Sequence, residues 1–165
     1  MSPARLTIED LAAVMAIRAE AADPRQVLIA VDALARKAVG HRVCSIFRTI
    51  DATAEVERIY SSAPGSHPIG GRKKIADYPH NQPVLARGEI YVARDRDAVA
   101  LTYREPERIF AHGVTSIMNV PVRFRCRNLG ALNLFGEAGW YDERVFPTAR
   151  TIASLLVPTL MTWGQ

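Results

Sequence analysis

Apolar residues recur at every second position along two neighbouring segments of the chain, 116–124 and 128–135, which is the period of a half-buried β-strand. The polar residues 125–127 between the two segments predict a turn. The two segments are therefore predicted to form a β-hairpin with one apolar face. The residues of that face are Met118, Val120, Val122 and Phe124 in the first strand and Leu132 and Leu134 in the second.

Each predicted strand also carries an asparagine on the face opposite to its apolar residues. A turn that places Phe124 opposite Asn128 also places Asn119 opposite Asn133, so that the two amides face each other across the hairpin. A register shifted by one residue would turn Asn133 to the other face. Both registers stay open, although the first is favoured because it sets apolar residues opposite one another.

Three segments carry apolar residues at the three- and four-residue spacing of an amphipathic helix. They predict helices over about 8–21, 24–39 and 142–162. Residues typical of helix starts, helix ends and helix bends mark these limits. They are Thr7, Asp23, Pro24, Gly40, Asp142 and Pro158.

The other predicted elements are shorter, and most of them lie between the second and third helices. They are strands at 42–50, 55–62 and 89–95, short helices at 83–87 and 105–113, and an extended loop at 63–84 that is rich in proline and glycine. This order predicts an α+β fold with an antiparallel sheet and the terminal helices on one face. The long loop and the short helices must then cover the other face, which predicts a pocket there.

Composition limits the class of protein. The 165 residues, of which 48% are hydrophobic, fit one domain spanning 1–165. No apolar run approaches the roughly 20 residues of a membrane span, and the N-terminus does not resemble a signal peptide, so a cytoplasmic location without membrane contact is expected. The net charge of +4 is spread among 21 basic and 17 acidic residues, which does not favour a nucleic-acid partner.

Several polar residues are candidates for lining the pocket. An amide both donates and accepts hydrogen bonds, so Asn119 and Asn133 suit a polar ligand, but they would equally suit buried backbone groups beneath a loop. Both interpretations stay open.

Four further candidates have similar alternatives. Tyr60 and Tyr91 either pack in the core or stack on a ligand. Ser116 offers a hydroxyl either to the pocket rim or to a turn. Arg72 follows two glycines in the long loop, where it either points to solvent or binds an anionic group.

The motifs of the second half of the chain resemble those of the GAF family, the small ligand-sensing domains of bacterial signalling proteins. Residues 113–143, "GVTSIMNVPVRFRCRNLGALNLFGEAGWYDE", are similar to the family's hairpin and the start of its last helix. Residues 93–99, "ARDRDAV", and 42–47, "RVCSIF", resemble two of its core strands. Cys126 departs from the glycine that is common in the turn. The resemblance covers nearly the whole chain and implies a sensor of a small molecule.

The same resemblance raises three kinds of chemistry that the residues do not favour. GAF-type methionine sulfoxide reductases need several cysteines near the pocket, whereas this chain has only Cys44 and Cys126, far apart in sequence. Neither cysteine is followed by histidine, as is common where a bilin is attached. The Asn-Lys pair of cyclic-nucleotide sites is missing, because Asn119 precedes Val120.

The four histidines show no metal-ligand spacing, although two of them share the long loop and could meet there. They are His41, His67, His80 and His112. No metal site and no cofactor is therefore predicted. The function indicated by sequence is a non-catalytic sensor of a small polar molecule. The alternatives are a redox enzyme of the methionine sulfoxide reductase type and a ligand-free dimerisation scaffold.

The terminal helices also predict a partner. Val14, Ile17, Val157 and Met161 widen the apolar surface of these helices beyond what one sheet face can cover. A second copy of the chain would bury them through a twofold helix bundle, as the GAF resemblance also implies. A homodimer through the terminal helices is therefore expected.

Overall fold

A computed structural model describes residues 4–80 and 82–164. These residues form six α-helices and six strands, together with a π-helix over Gln82–Arg87, where the sequence predicts a short helix, and three 3-10 turns. The helices are α1 (Ile8–Glu20), α2 (Arg25–Ala38), α3 (Arg96–Thr102), α4 (Pro106–Phe110), α5 (Phe146–Ser154) and α6 (Val157–Met161). The strands are β1 (Val43–Ile50), β2 (Glu55–Ser61), β3 (Arg72–Lys74), β4 (Tyr91–Ala93), β5 (Ser116–Phe124) and β6 (Arg127–Gly136).

The six strands form one antiparallel sheet in the order β3-β2-β1-β6-β5-β4. Helices α1, α2, α5 and α6 lie on one side of this sheet. The segments that connect β2 to β5 lie on the other side. The predicted α+β class is therefore confirmed, together with the assignment of helices to one face and loops with short helices to the other.

The central hairpin has the favoured register, with Asn119 opposite Asn133. The predicted three-residue turn is wrong, however, because Phe124 lies opposite Arg127. The turn has only two residues, Arg125 and Cys126, at φ of 48° and 63°. This left-handed conformation at both positions is what a two-residue hairpin turn of type I′ requires.

The shorter turn does not shift the asparagines because β6 contains a β-bulge. The pairing changes between Val122, which lies opposite Gly130, and Arg123, which lies opposite Asn128. Leu129 is thus an additional residue on β6 that restores the predicted alternation toward the centre of the sheet.

The helix-covered face holds the main apolar core. Buried side chains of α2, α5 and α6 pack there against those of β1, β5 and β6, with Ile46, Met118, Leu132 and Leu134 all fully buried. The single predicted C-terminal helix is in fact two helices preceded by a 3-10 turn. They separate just before Pro158, which has no N–H to donate to the carbonyl of the preceding turn.

The first helix differs from its prediction in what it covers. Thr7 and Asp10 form the expected capping box at its start. Yet α1 packs on α2 rather than on the sheet, and Val14 is its buried residue. Lys37 of α2 holds Asp10 by an ion pair of 2.6 Å. The expectation that α1 lies directly on the sheet is therefore wrong.

This packing leaves a different side of α1 in solvent. An apolar stripe of four residues, spaced by four, three and four positions, is exposed in the monomer. Its members are Ile8, Ala12, Met15 and Ala19. We call these four residues the α1 stripe.

Two elements on the cavity side were not predicted from the sequence, and one predicted strand is shorter than expected. Strand β3 lies inside the segment predicted to be a loop. Helix α3 was not predicted, although Asp95 caps it by accepting a hydrogen bond from the N–H of Ala98 at 2.8 Å. The strand predicted over 89–95 is confined to β4. No helix of the described residues is long and apolar enough to cross a membrane.

Candidate ligand-binding cavity

A cavity of about 220 Å³ lies between the sheet and the segment that connects β2 to β5. Its floor is the face of β1, β2, β5 and β6 that the helices do not cover. Two small apolar clusters flank it, one around Ile117 and Phe135 and the other around Val56 and Ala131. The cavity therefore lies where the sequence predicts a loop-covered pocket.

Asn119 and Asn133 lie on the floor of the cavity and are both buried. The Asn119 amide donates to Asn133 Oδ1 at 2.7 Å, and Asn133 donates in turn to Ser45 Oγ at 3.4 Å. The hydroxyl of Tyr103 donates to Asn119 Oδ1 at 2.7 Å. The two amides thus belong to a hydrogen-bonded row that crosses three strands and also line open space, which combines the two interpretations left open by the sequence.

Two other predicted site residues lie away from the cavity because of the sheet geometry. A bulge at Ile59 in β2 turns Tyr60 to the helix face, where its hydroxyl donates to Asp32 Oδ2 at 2.5 Å. Ser116 is on the helix-facing side of β5, and its hydroxyl donates to the carbonyl of Ala93 at 2.8 Å. Neither residue lines the cavity.

The remaining two candidates also lie outside the lining. Arg72 is exposed on the edge strand β3, and its neighbours Gly71 and Lys73 line the cavity instead. Tyr91 lies beside Asn119 in the sheet, but its hydroxyl is hydrogen-bonded to Thr102 Oγ1 at 2.8 Å. Arg72 and Lys73 belong to strand β3, so their side chains point to opposite faces, and that of Lys73 lines the cavity. The sequence predicted a loop at these residues.

Aromatic rings form much of the cavity wall. His80 lies among tyrosines, with its ring centroid 4.6 Å from that of Tyr103 and 5.7 Å from that of Tyr78. On another part of the wall, His67 contacts the ring of Phe135 edge to face at 5.2 Å. The sequence placed both histidines in one loop, and both line the same cavity.

The two wall histidines are uncharged at neutral pH. Burial lowers the pKa of His67 to about 4, and the nearby positive charge of Arg58 lowers it further. Burial also lowers the pKa of His80 to about 4, with a smaller contribution from Lys73. The cavity therefore contains imidazoles that exchange hydrogen bonds without adding charge.

Positive charge is concentrated at the cavity. Four basic residues line it, and they are Arg58, Lys73, Arg104 and Arg108. The carboxylate in the lining is that of Glu105, which forms an ion pair of 3.3 Å with Arg108. Arg58 was not predicted to line the cavity, because the alternating charges of β2 resemble those of a solvent-exposed edge strand. The presence of Val56 two positions before it was the available signal that Arg58 faces the interior.

The two thiols lie away from the cavity. Cys44 is fully buried on the helix face, where burial and the nearby Asp32 charge raise the pKa of its thiol well above the usual value. Cys126 is exposed in the hairpin turn. About eight residues of extended β6 separate the turn from Leu134, which pairs with Cys44, so the thiols are roughly 20 Å or more apart.

One group of potential metal ligands occurs in the core on the helix face. Ligand atoms of Asp32, His41 and Cys44 lie within 4.8 Å of one another. His41 Nε2 is 2.8 Å from Asp32 Oδ1, and Tyr60 occupies the other carboxylate oxygen. Burial raises the pKa of Asp32, but the hydrogen bonds from His41 and Tyr60 outweigh it and leave that pKa below its usual value. These partners account for the carboxylate without a metal ion.

The structure thus combines a six-stranded antiparallel sheet, helices on one face and a cavity under loops on the other. The chain has the GAF-domain fold, as comparison with solved structures shows. No family model matches the sequence, and a search of curated proteins gives no significant match.

Three solved structures illustrate the range of proteins with this fold. The GAF domain of a phosphoenolpyruvate-protein phosphotransferase from Coxiella burnetii superposes with a TM-score of 0.76 at 19% identity, covering 93% of this chain and 92% of that one. The phycocyanobilin-bound GAF domain of a cyanobacterial phytochrome gives 0.68 at 16% identity, covering 96% and 97%. A free methionine-R-sulfoxide reductase from Thermoplasma acidophilum gives 0.64 at 13% identity, covering 85% and 92%.

Proposed function

We propose that this chain is a non-catalytic regulatory domain that binds a small polar molecule in the cavity and takes part in signal transduction. The observation that carries this proposal is the cavity above the buried Asn119–Asn133 pair. Its volume of about 220 Å³ corresponds to roughly seven water molecules, or to an organic molecule of about ten non-hydrogen atoms. A bilin or a cyclic nucleotide is larger than that.

The neighbouring structures support a regulatory role and limit the choice of ligand. Two of them are GAF domains of a phosphotransferase and of a phytochrome. The phytochrome domain holds phycocyanobilin. In this chain neither cysteine lines the cavity, so the attachment of a chromophore through a thiol is not part of the proposal.

Native mass spectrometry of the purified chain tests the proposal, with a variant that fills the cavity. Gly71 lines the cavity, and a Cβ there would approach the carbonyl of Pro68 at an acceptable 3.7 Å. Gly71→Val should remove the bound mass, or weaken its binding at least tenfold. Gly65→Val is the matched control, since a Cβ at Gly65 meets nothing and lies outside the cavity lining. Equal binding by both variants would contradict a ligand in this cavity.

The redox alternative predicts turnover of free methionine sulfoxide with a dithiol reductant. Cys44 has no exposed surface, and the second thiol is at the far end of the hairpin, so resolution of an oxidised cysteine by its partner would need a large rearrangement. We expect no methionine above the level formed by the Cys44→Ser and Cys126→Ser double variant. Turnover that requires either cysteine would establish the enzyme instead.

We further propose a homodimer, formed through the α1 stripe. The spacing of Ile8, Ala12, Met15 and Ala19 is that of a coiled-coil seam, and Ile8 and Met15 are 79% and 50% exposed in the monomer. Of the four residues on which the sequence prediction rested, Val14 is buried against α2 and Val157 is half-buried on the sheet, so only Ile17 and Met161 remain exposed. We therefore propose the α1 stripe, in place of those four residues, as the dimer contact.

Light scattering at micromolar concentration tests this contact. The wild-type chain should give twice the monomer mass of 18.2 kDa. The Ala12→Glu and Met15→Glu double variant should give the monomer mass, because two charges would enter an apolar seam. Ala13→Glu, on another exposed side of α1, should leave the dimer intact. A monomeric wild type would refute the dimer, and it would also refute the hypothesis of a dimerisation scaffold.

A further inference from the structure

Arg58 is a buried cation without a counter-charge in the part of the chain that the structure describes. Its side chain lines the cavity, and the residue is 7% exposed. One guanidinium nitrogen, Nη1, donates to the carbonyl of Pro68 at 3.1 Å, while Nε is buried and has no hydrogen-bond partner. The guanidinium carbon lies 5.0 Å from the centre of the Phe47 ring. A buried charge held only by a carbonyl and a ring is poorly compensated.

The surrounding charges increase this deficit. Lys73 Nζ lies 4.8 Å from the ring centre of Tyr78, and the Arg104 guanidinium approaches the same ring at 5.2 Å. Neither forms an ion pair with a carboxylate among the described residues. Glu105 is the one acidic residue of the lining, and its ion pair is with Arg108. The net charge of the described lining is therefore strongly positive when the histidines are neutral.

A second residue of the cavity lining also has a buried polar atom without a partner. His80 is 8% exposed and lines the cavity, and its Nδ1 is buried without a hydrogen-bond partner. Buried polar atoms in folded proteins are almost always hydrogen-bonded, so Arg58 and His80 are residues of the cavity lining whose polar groups are incompletely satisfied.

We infer that the ligand is a small oxyanion whose carboxylate or phosphate group accepts hydrogen bonds from Arg58, with Lys73 and Arg104 contributing positive charge at the cavity. This inference rests on the proposed function, whose ligand class it specifies. Planar guanidinium groups bind carboxylate and phosphate oxygens through paired hydrogen bonds, so an oxyanion at the cavity would supply the counter-charge that Arg58 lacks. The cavity volume of about 220 Å³ suits a small ligand.

Thermal unfolding with three small probes tests the inference. Acetate and inorganic phosphate carry the two candidate groups, and acetamide is the neutral isostere of acetate. At about 10 mM and constant ionic strength, we expect the better-matched anion to raise the unfolding temperature of the wild-type chain by roughly 2–4 °C. Which of the two anions acts more strongly distinguishes a carboxylate ligand from a phosphate ligand. Acetamide should have no effect.

Two variants assign the effect to Arg58. Arg58→Met keeps a long apolar side chain and removes the charge, and it should abolish the shift caused by the anion. Its unfolding temperature without anion should equal or exceed that of the wild type, because an uncompensated buried charge is removed. Arg144→Met, at a side chain that is 90% exposed and outside the cavity lining, should keep the full shift.

Each other outcome is decisive. An anion shift of the same size in Arg58→Met would overturn the inference, as would a wild-type chain that responds to neither anion. If acetamide stabilises the wild type as well as acetate does, a polar ligand in the cavity is supported and its anionic character is refuted. Native mass spectrometry with Gly71→Val judges ligand binding itself, so failure of the anion inference and failure of the proposed function are told apart.

Discussion

The two faces of the sheet are built from the same strands and differ in how their buried charges are compensated. On the helix face, apolar side chains such as Ile46 and Met118 are fully buried. The buried Asp32 carboxylate there lies 2.8 Å from His41 Nε2 and accepts a hydrogen bond from Tyr60, although His41 Nδ1 has no hydrogen-bond partner among the described residues. On the cavity face, Arg58 has no carboxylate partner among the described residues and His80 keeps an unpartnered nitrogen.

This difference distinguishes the side chains that stabilise the core from those that line the cavity. Successive residues of a strand point to opposite faces, so Met118 stabilises the core while Asn119 lines the cavity. A buried charge with partners on its own chain needs no ligand, whereas a buried charge without a counter-charge at a cavity favours an anion there.

Acid should act mainly on the cavity face. His67 and His80 have a pKa of about 4 in the fold, below the ordinary 6.5, so the unfolded chain binds protons between these pH values that the folded chain does not. Their contribution to stability is therefore complete above about pH 6.5 and is lost as pH falls toward 4. At pH 5 the loss should be about 2 kcal/mol for each histidine, or about 4 kcal/mol together.

Urea unfolding at pH 7 and pH 5 measures this loss. The basic groups that act on the two histidines are Arg58, Lys73 and Arg108, and they oppose protonation at both pH values. The double variant His67→Gln and His80→Gln should lose much less stability over the same interval. If it loses as much as the wild type, the wall histidines are not responsible for the acid sensitivity.

Truncation of an apolar side chain should cost more on the helix face. Met118→Ala should lower the free energy of unfolding by about 3 kcal/mol, because the surrounding core is closely packed and cannot fill the space. Phe47→Ala, at a half-buried ring in the cavity wall, should cost about 1–2 kcal/mol despite the larger side chain. Denaturant titration measures both losses of unfolding free energy. A larger loss for Phe47→Ala than for Met118→Ala would contradict the proposed difference between the two faces.

Removal of single hydroxyl groups should give the smallest losses of stability, and the loss should again be larger on the helix face than on the cavity face. Tyr60→Phe deletes a hydrogen bond to the Asp32 carboxylate and should cost about 2 kcal/mol. Tyr103→Phe deletes a neutral hydrogen bond to Asn119 Oδ1 and should cost about 1 kcal/mol. Because the two substitutions remove the same atom, their difference in unfolding free energy reports the charge of the acceptor. Equal losses would show that the Asp32 pair adds nothing beyond a neutral bond.

Long periodic segments of the sequence were sufficient to predict the helices, the main strands and the central hairpin. Capping chemistry at Thr7 and chain reversal at Gly40 gave the helix limits within a residue or two. Shorter elements were missed, because β3 and α3 are too short to show a period and depend on tertiary contacts. The face of α1 that packs on α2 was also missed, since an apolar stripe on a helix does not state which surface it covers.

The site was only partly predictable for a related reason. The pairing of Asn119 with Asn133 followed from the alternation of the hairpin. Tyr60 lies on the helix face because a bulge at Ile59 reverses the alternation in β2, whereas Arg58 keeps the phase of Val56 and faces the cavity. The charge deficit at the cavity depends on which ion pairs form in three dimensions, and spacing in the sequence does not determine that.

Because of the bulge at Leu129, the number of residues in the hairpin turn does not by itself determine which side chains of β6 face the cavity. One residue added to the turn and one removed at Leu129 would cancel, so that the same side chains would still face the cavity. The outer end of the hairpin, including Cys126, can therefore change in length or sequence during evolution while the amide pair keeps its position, provided that each change at the tip is matched by one in the bulge.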